Sequence, residues 1–181
     1  MNITVYLGSF PGNDPILREK VIELGNWIGS NGHDLVYGGS KNGLMGDLAK
    51  AVLDSKGKVT GVEPRFFIER GFVYDEIDEL IVTEDMSQRK AKMIELGDAF
   101  IAFPGGTGTL EEIAEVMSKV CLKHLDAPCI IYDLNGYYEG LKILLDRMVE
   151  SGLSSRERLA GIHFAKDLDD IVSIIEKYEA K

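Results

Sequence analysis

Five consecutive residues, Gly105 to Thr109, hold three glycines and two threonines, and the carboxylates Glu111 and Glu112 follow at once. Glycine leaves room for a sharp backbone turn and lets amide N–H groups approach a phosphate closely. The hydroxyls of Thr107 and Thr109 add donors at the start of the next helix, whose positive end favours an anion. A bare strand-to-helix turn needs fewer such residues, so Gly105, Gly106, Thr107, Gly108 and Thr109 read as a phosphate cradle. Glu112 has two readings. "TLEE" spells a capping box in which Thr109 caps the helix and Glu112 reaches back to its amide; alternatively Glu112 is a catalytic carboxylate beside the cradle. Spacing leaves both open.

Upstream, Met86, Arg89, Met93 and Leu96 recur at helical spacing, so an Arg stands in an apolar stripe. A charge set there needs a partner, either a structural carboxylate or a bound phosphate or ribose. Lys90 is adjacent, and a lone Lys is usually solvated. The other titratable groups give less. His33, His124 and His163 lack a companion at metal-ligand spacing and read as surface or strand-edge residues, so no metal is expected. Asp47, Glu63, Arg65 and Arg70 fall near strand ends and read as surface groups. Cys121 and Cys129 match no metal or redox spacing and read as free thiols of a reducing compartment. Neither the Gly-Lys-Ser/Thr loop of a nucleoside triphosphatase nor the third glycine of the dinucleotide fingerprint is present.

The elements that must carry these residues alternate. Short runs, "ITVYLGS", "HDLVYGG", "KVTGVEP", "ELIVTE", "AFIAFPGG", "APCIIYDL" and "IHF", are separated by longer amphipathic stretches. That pattern predicts an α/β fold, a Rossmann-like three-layer sandwich with a mostly parallel central sheet, forming a single nucleotide-binding domain over residues 1–181. Helices are expected at 16–30, 44–56, 86–96, 110–123, 137–151 and 168–179, and residues 64–78 as a short helix and loop bordering the site. Ligands of such sheets bind beyond the carboxyl ends of the strands. Three glycine loops leave strands there, at Gly8, Gly38 and Gly105. If the first and fifth strands are neighbours, Gly8 and Gly105 face one crevice. The 181 residues suit one core that buries ~70% of the unfolded surface. A formal charge of −10 argues against a protein whose main work is neutralising a nucleic-acid backbone. Nowhere do ~18 apolar residues run together, and the N-terminus lacks the features of a signal peptide. The expected location is cytoplasmic, with no membrane partner.

The pair "SQRKAKM" and "PGGTGTLEE" resembles the signature of the LONELY GUY (LOG) family, RKxxM followed by PGGxGTxxE. Here it reads Arg89, Lys90 and Met93, then Pro104, Gly105, Gly106, Gly108, Thr109 and Glu112. The likeness extends to "VYLGS", "LVYGG", "GLMG", "GVEP" and "NGYY". It implies a phosphoribohydrolase that releases a free adenine-type base and ribose 5-phosphate from a nucleoside 5'-monophosphate, without a cofactor. Arg89 and Glu112 would be the catalytic pair. Lys90, Glu111 and the loop from Pro104 to Thr109 would bind substrate, together with Gly8, Ser9, Gly38 and Gly39. A homodimer is implied as well. Met86 belongs to the same substrate-binding set, although the apolar types of Met86, Met117 and Phe67 suit the core first and a wall for the base second. The chain departs from the common family pattern at Phe10, Ser40 and Ser87, positions that bear on the base rather than on the reaction.

The mechanism so implied is hydrolysis through an oxocarbenium-like state at the ribose C1'. The loop holds the phosphate, Glu112 meets the sugar, and Arg89 offsets the local negative charge. A non-catalytic nucleotide or molybdenum-cofactor carrier of the same fold would use the same loop. A lysine decarboxylase would need pyridoxal phosphate, and no lysine is marked out as its Schiff-base partner.

Overall fold

The computed structural model describes residues 1–180. Seven strands form one sheet, each pairing in parallel with its neighbours: β1 (Asn2–Tyr6), β2 (Asp34–Tyr37), β3 (Val59–Pro64), β4 (Glu79–Thr83), β5 (Ala99–Ala102), β6 (Cys129–Tyr132) and β7 (Ile162–Ala165). Their order is β4-β3-β2-β1-β5-β6-β7. The chain winds outward from β1 to β4, returns, and continues from β5 on the other side of β1. The order therefore reverses between β1 and β5, where parallel sheets of this kind open a crevice.

Alternation along the strands sets the layers. Ile3 and Val5 point to one face, where they pack with Leu24 and Ile28 of α1 (Pro15–Ser30), Leu48 and Val52 of α2 (Gly43–Asp54), and Ile171 of α8 (Leu168–Glu179). Tyr6 and Phe100 point to the other. There they meet Met93 of α4 (Met86–Leu96), Ile113 and Val116 of α5 (Thr107–Cys121), and Leu145 of α6 (Glu139–Glu150). The inner strands are apolar on both sides because helices cover both, whereas β4 lies at an edge and exposes Leu80 and Val82. Each fully buried Leu or Ile contributes roughly 1.5–3 kcal/mol, so the two helical layers supply most of the drive to fold.

Helix boundaries shift from the expected ones for local reasons. α2 ends at Asp54, short of Lys56, whose positive φ of 69° belongs to a chain leaving the helix. α6 starts at Glu139, since a 3₁₀ turn at Leu134–Gly136 precedes it. Residues 64–78 contain the short α3 (Arg65–Ile68) and a loop that returns to bridge Val73 to Ser40. Another four-residue helix, α7 (Arg156–Leu159), precedes β7. His33 is buried rather than at the surface, its ring 3.4 Å from the N-terminal amine; His163 is on the edge strand β7 and His124 is exposed. Asp47, Arg65 and Arg70 are on or near the surface; Glu63 is not.

Candidate active site

The start of α5 rules out the capping-box reading of Glu112. The helix begins at Thr107, three residues before the expected Leu110, with Gly106 as its N-cap and no side-chain hydrogen bond there. Thr109 is therefore inside the first turn and cannot form the capping box. The amide of Leu110 bonds back to the Gly106 carbonyl at 3.1 Å, so those of Thr107, Gly108 and Thr109 are among the donors that a helix leaves unpaired. Gly105 is crowded: a Cβ there would stand 2.2 Å from the Thr109 hydroxyl and 2.9 Å from the Gly8 amide. Gly106 and Gly108 face open space. Two tyrosines brace the loop from behind, Tyr137 donating to the Gly105 carbonyl at 2.6 Å and Tyr138 to that of Phe103 at 2.9 Å.

Freed from capping, Glu112 points inward to Arg89. The start of α4 sets the facing side chain: Asp85 caps it by accepting from the Gln88 amide at 2.8 Å, while the Gln88 side chain accepts from the Glu84 amide at 3.1 Å. That phase turns Arg89 and Met93 to the sheet. Arg89 Nη1 donates to Glu112 Oε1 at 2.5 Å and its Nε to the Val62 carbonyl at 2.9 Å. Both side chains are 6% exposed, so the charges satisfy one another in place of water. Gly38 makes the arrangement possible, since a Cβ there would lie 2.3 Å from Arg89 Nη2. Burial pushes the Glu112 carboxyl up, and the Arg89 charge and hydrogen bond work against that. Tyr6 of β1 lies within electrostatic reach of the pair; burial raises its phenol and keeps it neutral.

These groups open on a cavity of about 710 Å³, within the range of small-molecule sites. One end is the Gly106–Thr109 turn with Gly8 and Ser9, and Arg89 and Glu112 form its middle. Ser40, Met45, Glu63, Phe67, Phe72 and Met86 line it further, with Gly38. Asn42 and Gly43, at the start of α2, line it too, so two helix N-termini border the same space. Arg89 is the one cationic side chain among the described lining residues, and no lysine is among them. A second cleft of about 610 Å³ lies across Gly8, Phe10 and Gly106, and Pro104 and Gly105 line that one instead. Its single carboxylate, Asp14, is engaged as the cap of α1. The ionisable groups suited to catalysis are in the first cavity.

Two expected substrate contacts turn away. Lys90 Nζ lies 2.7 Å from Glu111 Oε1 and 3.4 Å from Glu115 Oε2, and neither Lys90 nor Glu111 lines the cavity. Helical geometry explains this: one residue is a rotation of about 100°, so when Arg89 and Glu112 face inward their neighbours point elsewhere. Gly39 stands behind the wall with φ 85°, against the Glu63 side chain. Met86 and Phe67 line the cavity, whereas Met117 is core. Glu63 and Phe72 escape sequence reasoning; "GVEP" marks a strand end, but its spacing says nothing of burial.

A family model described as "Possible lysine decarboxylase" matches residues 45–175. Over 176 residues the chain is 39% identical to cytokinin riboside 5'-monophosphate phosphoribohydrolase LOG1 of Arabidopsis thaliana, covering 97% of this chain and 83% of that protein. It is 38% identical over 175 residues to the enzyme of the same name from Rhodococcoides fascians, covering 96% and 88%. The chain belongs to the LOG family. Solved structures carry the fold further afield. The molybdenum cofactor carrier protein of Chlamydomonas reinhardtii superposes with a TM-score of 0.76 at 22% identity, covering 99% of this chain and 98% of that one. The molybdenum cofactor binding protein of Rippkaea orientalis gives 0.70 at 21%, covering 97% and 95%. At such identity the likeness is one of architecture: a seven-stranded Rossmann-like sheet between two helical layers.

Proposed function

We propose that this LOG-family chain is a nucleoside 5'-monophosphate phosphoribohydrolase that cleaves the N-glycosidic bond of AMP or N6-substituted AMP, giving free base and ribose 5-phosphate. The observation that carries the reading is the buried Arg89–Glu112 pair, set just beyond a helix N-terminus without a side-chain cap, in a cavity of nucleotide size. The names of its relatives support the same reaction.

The 5'-phosphate sits on the amides of Gly106 to Thr109, assisted by Gly8 and Ser9. Binding a group that does not react fixes where C1' falls, and this orientation lowers the barrier. Glu112, held as a carboxylate by Arg89, faces the ribose, where it stabilises positive charge at C1' and takes a proton from the attacking water. Lys90 and Glu111 shape the outer side of α4 and α5 through their ion pair. The remaining lining, rich in Met and Phe, receives the base.

Chromatography of products from AMP and N6-isopentenyl-AMP, beside Glu112→Gln, tests this reading. Free base and ribose 5-phosphate from the wild type, reduced ~100-fold or more in the mutant, are expected. Intact nucleotide from a folded wild type that binds it would leave a carrier instead. The protein is further proposed to act as a homodimer, for which Leu110 and Leu122 of the α5 region and Ile143 and Leu144 of α6 offer exposed apolar surface. A cytoplasmic location is supported by free Cys121 and Cys129. No helix among the described residues is long and apolar enough to cross a membrane.

A further inference from the structure

The Arg89–Glu112 pair leaves one ionisable group of the cavity unexplained. Glu63, near the end of β3, is 3% exposed, lines the same cavity, and among the described residues enters no hydrogen bond or ion pair. A permanently charged carboxylate in that place would lack the partner that burial demands. The backbone nevertheless makes room for it: Gly39 has φ 85°, and a Cβ there would stand 2.8 Å from Glu63 Cγ. Two groups face it electrostatically, Arg89 from α4 and the phenol of Tyr37 from β2. Arg89 favours the charged carboxylate; Tyr37 is buried, held neutral, and its hydroxyl has no partner. Burial outweighs Arg89 and leaves Glu63 pushed up to about 7. Both protonation states are then accessible near neutrality, as a proton donor requires.

Strand order fixes its place along the cavity. β5, β1, β2 and β3 are consecutive neighbours. At about 4.8 Å per strand, Glu63 stands about 14 Å across the sheet from the end of β5, where the phosphate loop begins. A nucleotide anchored on that loop runs phosphate, ribose, base in the same direction. Its ribose passes Arg89 and Glu112, and its base arrives among Glu63, Phe67, Phe72 and Met86.

We propose that Glu63 is a third catalytic group, the general acid that protonates the departing base; this rests on the phosphoribohydrolase reading. The bond from C1' to the base nitrogen breaks with its electron pair on the base, and the Glu63 carboxyl supplies the proton that makes the base a neutral leaving group. Water adds to C1' and gives a proton to Glu112. Solvent then takes the proton from Glu112 and returns one to Glu63, so each cycle consumes one water and releases base and ribose 5-phosphate.

The test compares two substrates, AMP and 4-nitrophenyl ribofuranoside 5-phosphate, whose nitrophenolate leaves without a proton. Glu63→Gln keeps shape and polarity but has no acidic proton. Its kcat on AMP is expected to fall by ~100-fold or more, while kcat on the nitrophenyl substrate stays within about 3-fold of wild type. Wild-type kcat/KM on AMP should decline as pH rises through about 7, a limb absent with nitrophenyl substrate. That wild-type comparison needs no variant to fold. Equal losses on both substrates, or no loss on AMP, would overturn the proposal. A folded wild type inactive on both substrates would instead defeat the phosphoribohydrolase reading itself.

Discussion

At the β5–α5 end the cavity presents backbone: the amides of Gly106 to Thr109 and the dipole of a fifteen-residue helix. At the β3 end it presents side chains gathered from separate elements, Glu63 from β3, Phe67 from α3, Phe72 from the loop beyond, Met86 and Arg89 from α4. A backbone site is local, made by contiguous residues whose small size is its specification. A convergent side-chain site exists only once the sheet has assembled. The two ends should therefore respond differently to substitution, the first in substrate affinity and the second in turnover.

The sharpest break comes at the junction. Arg89→Ala removes the partner of a buried carboxylate, at a cost of ~3 kcal/mol in stability, and lowers turnover by ~100-fold or more. Glu112→Gln should match the loss of turnover while keeping the melting temperature nearer wild type, because its carboxamide oxygen can still accept from the Arg89 guanidinium, whereas Arg89→Ala leaves the buried carboxylate with no donor. Thermal melts and kcat measured on both variants check this; if Glu112→Gln is the less stable of the two, the pair is mainly structural.

Gly38→Ala probes how Arg89 is positioned. Its backbone φ is unexceptional, but the new Cβ would lie 2.3 Å from Arg89 Nη2 and 3.1 Å from the end of Met45. Displacing the guanidinium by a fraction of an ångström should reduce kcat ~10- to 100-fold, with a smaller change in KM. An unchanged kcat would mean that Arg89 relaxes without loss of function.

This contrast explains what was legible in the sequence. The parallel sheet could be read because alternating short and long apolar runs are local, and "PGGTGT" because each small residue states a backbone requirement. The start of α5 lies earlier than the pattern implies: glycine propensity argues against a helix at Thr107, yet the helix starts there with Gly106 as its N-cap and Thr109 packed beneath Gly105. Glu63 illustrates the opposite difficulty. Its neighbours are a proline and a valine, and only the approach of Gly39 and Arg89 from other elements makes it a buried acid. Lys90 and Glu111 enter through the family signature, which does not show direction, whereas a helix turns adjacent residues about 100° apart and sets these two against each other outside the cavity.

The β3 end should also govern how stability depends on pH. The folded-state value of Glu63 lies near 7, above its ordinary 4.5, so between those limits the native protein holds a proton that the unfolded chain has released. Its contribution is fully present below about 4.5 and is lost as pH rises to about 7, an effect of up to ~3 kcal/mol. Burial moves Glu112 in the same direction. Relative to Glu63→Gln, the wild type should lose several degrees of melting temperature between pH 5 and pH 8, at roughly 2–4 °C per kcal/mol. Parallel melting curves for the two proteins across that range would show that Glu63 keeps one charge state throughout.

At the backbone end the expected effect is smallest and of another kind. Gly106 has φ −87°, which any residue adopts, and a Cβ there meets nothing within 4 Å. Gly106→Ala should therefore fold as well as wild type and crowd only what binds in front of the loop. With a phosphate drawn against these amides, the extra methyl raises KM for AMP by about 10-fold, ~1.4 kcal/mol of binding, and lowers kcat by less than that through the looser placement of C1'. AMP and adenosine measured side by side sharpen the point, since adenosine lacks the phosphate and its weaker binding should be indifferent to the substitution. Equal penalties for both would move the phosphate off this loop and erase the difference between the two ends of the cavity.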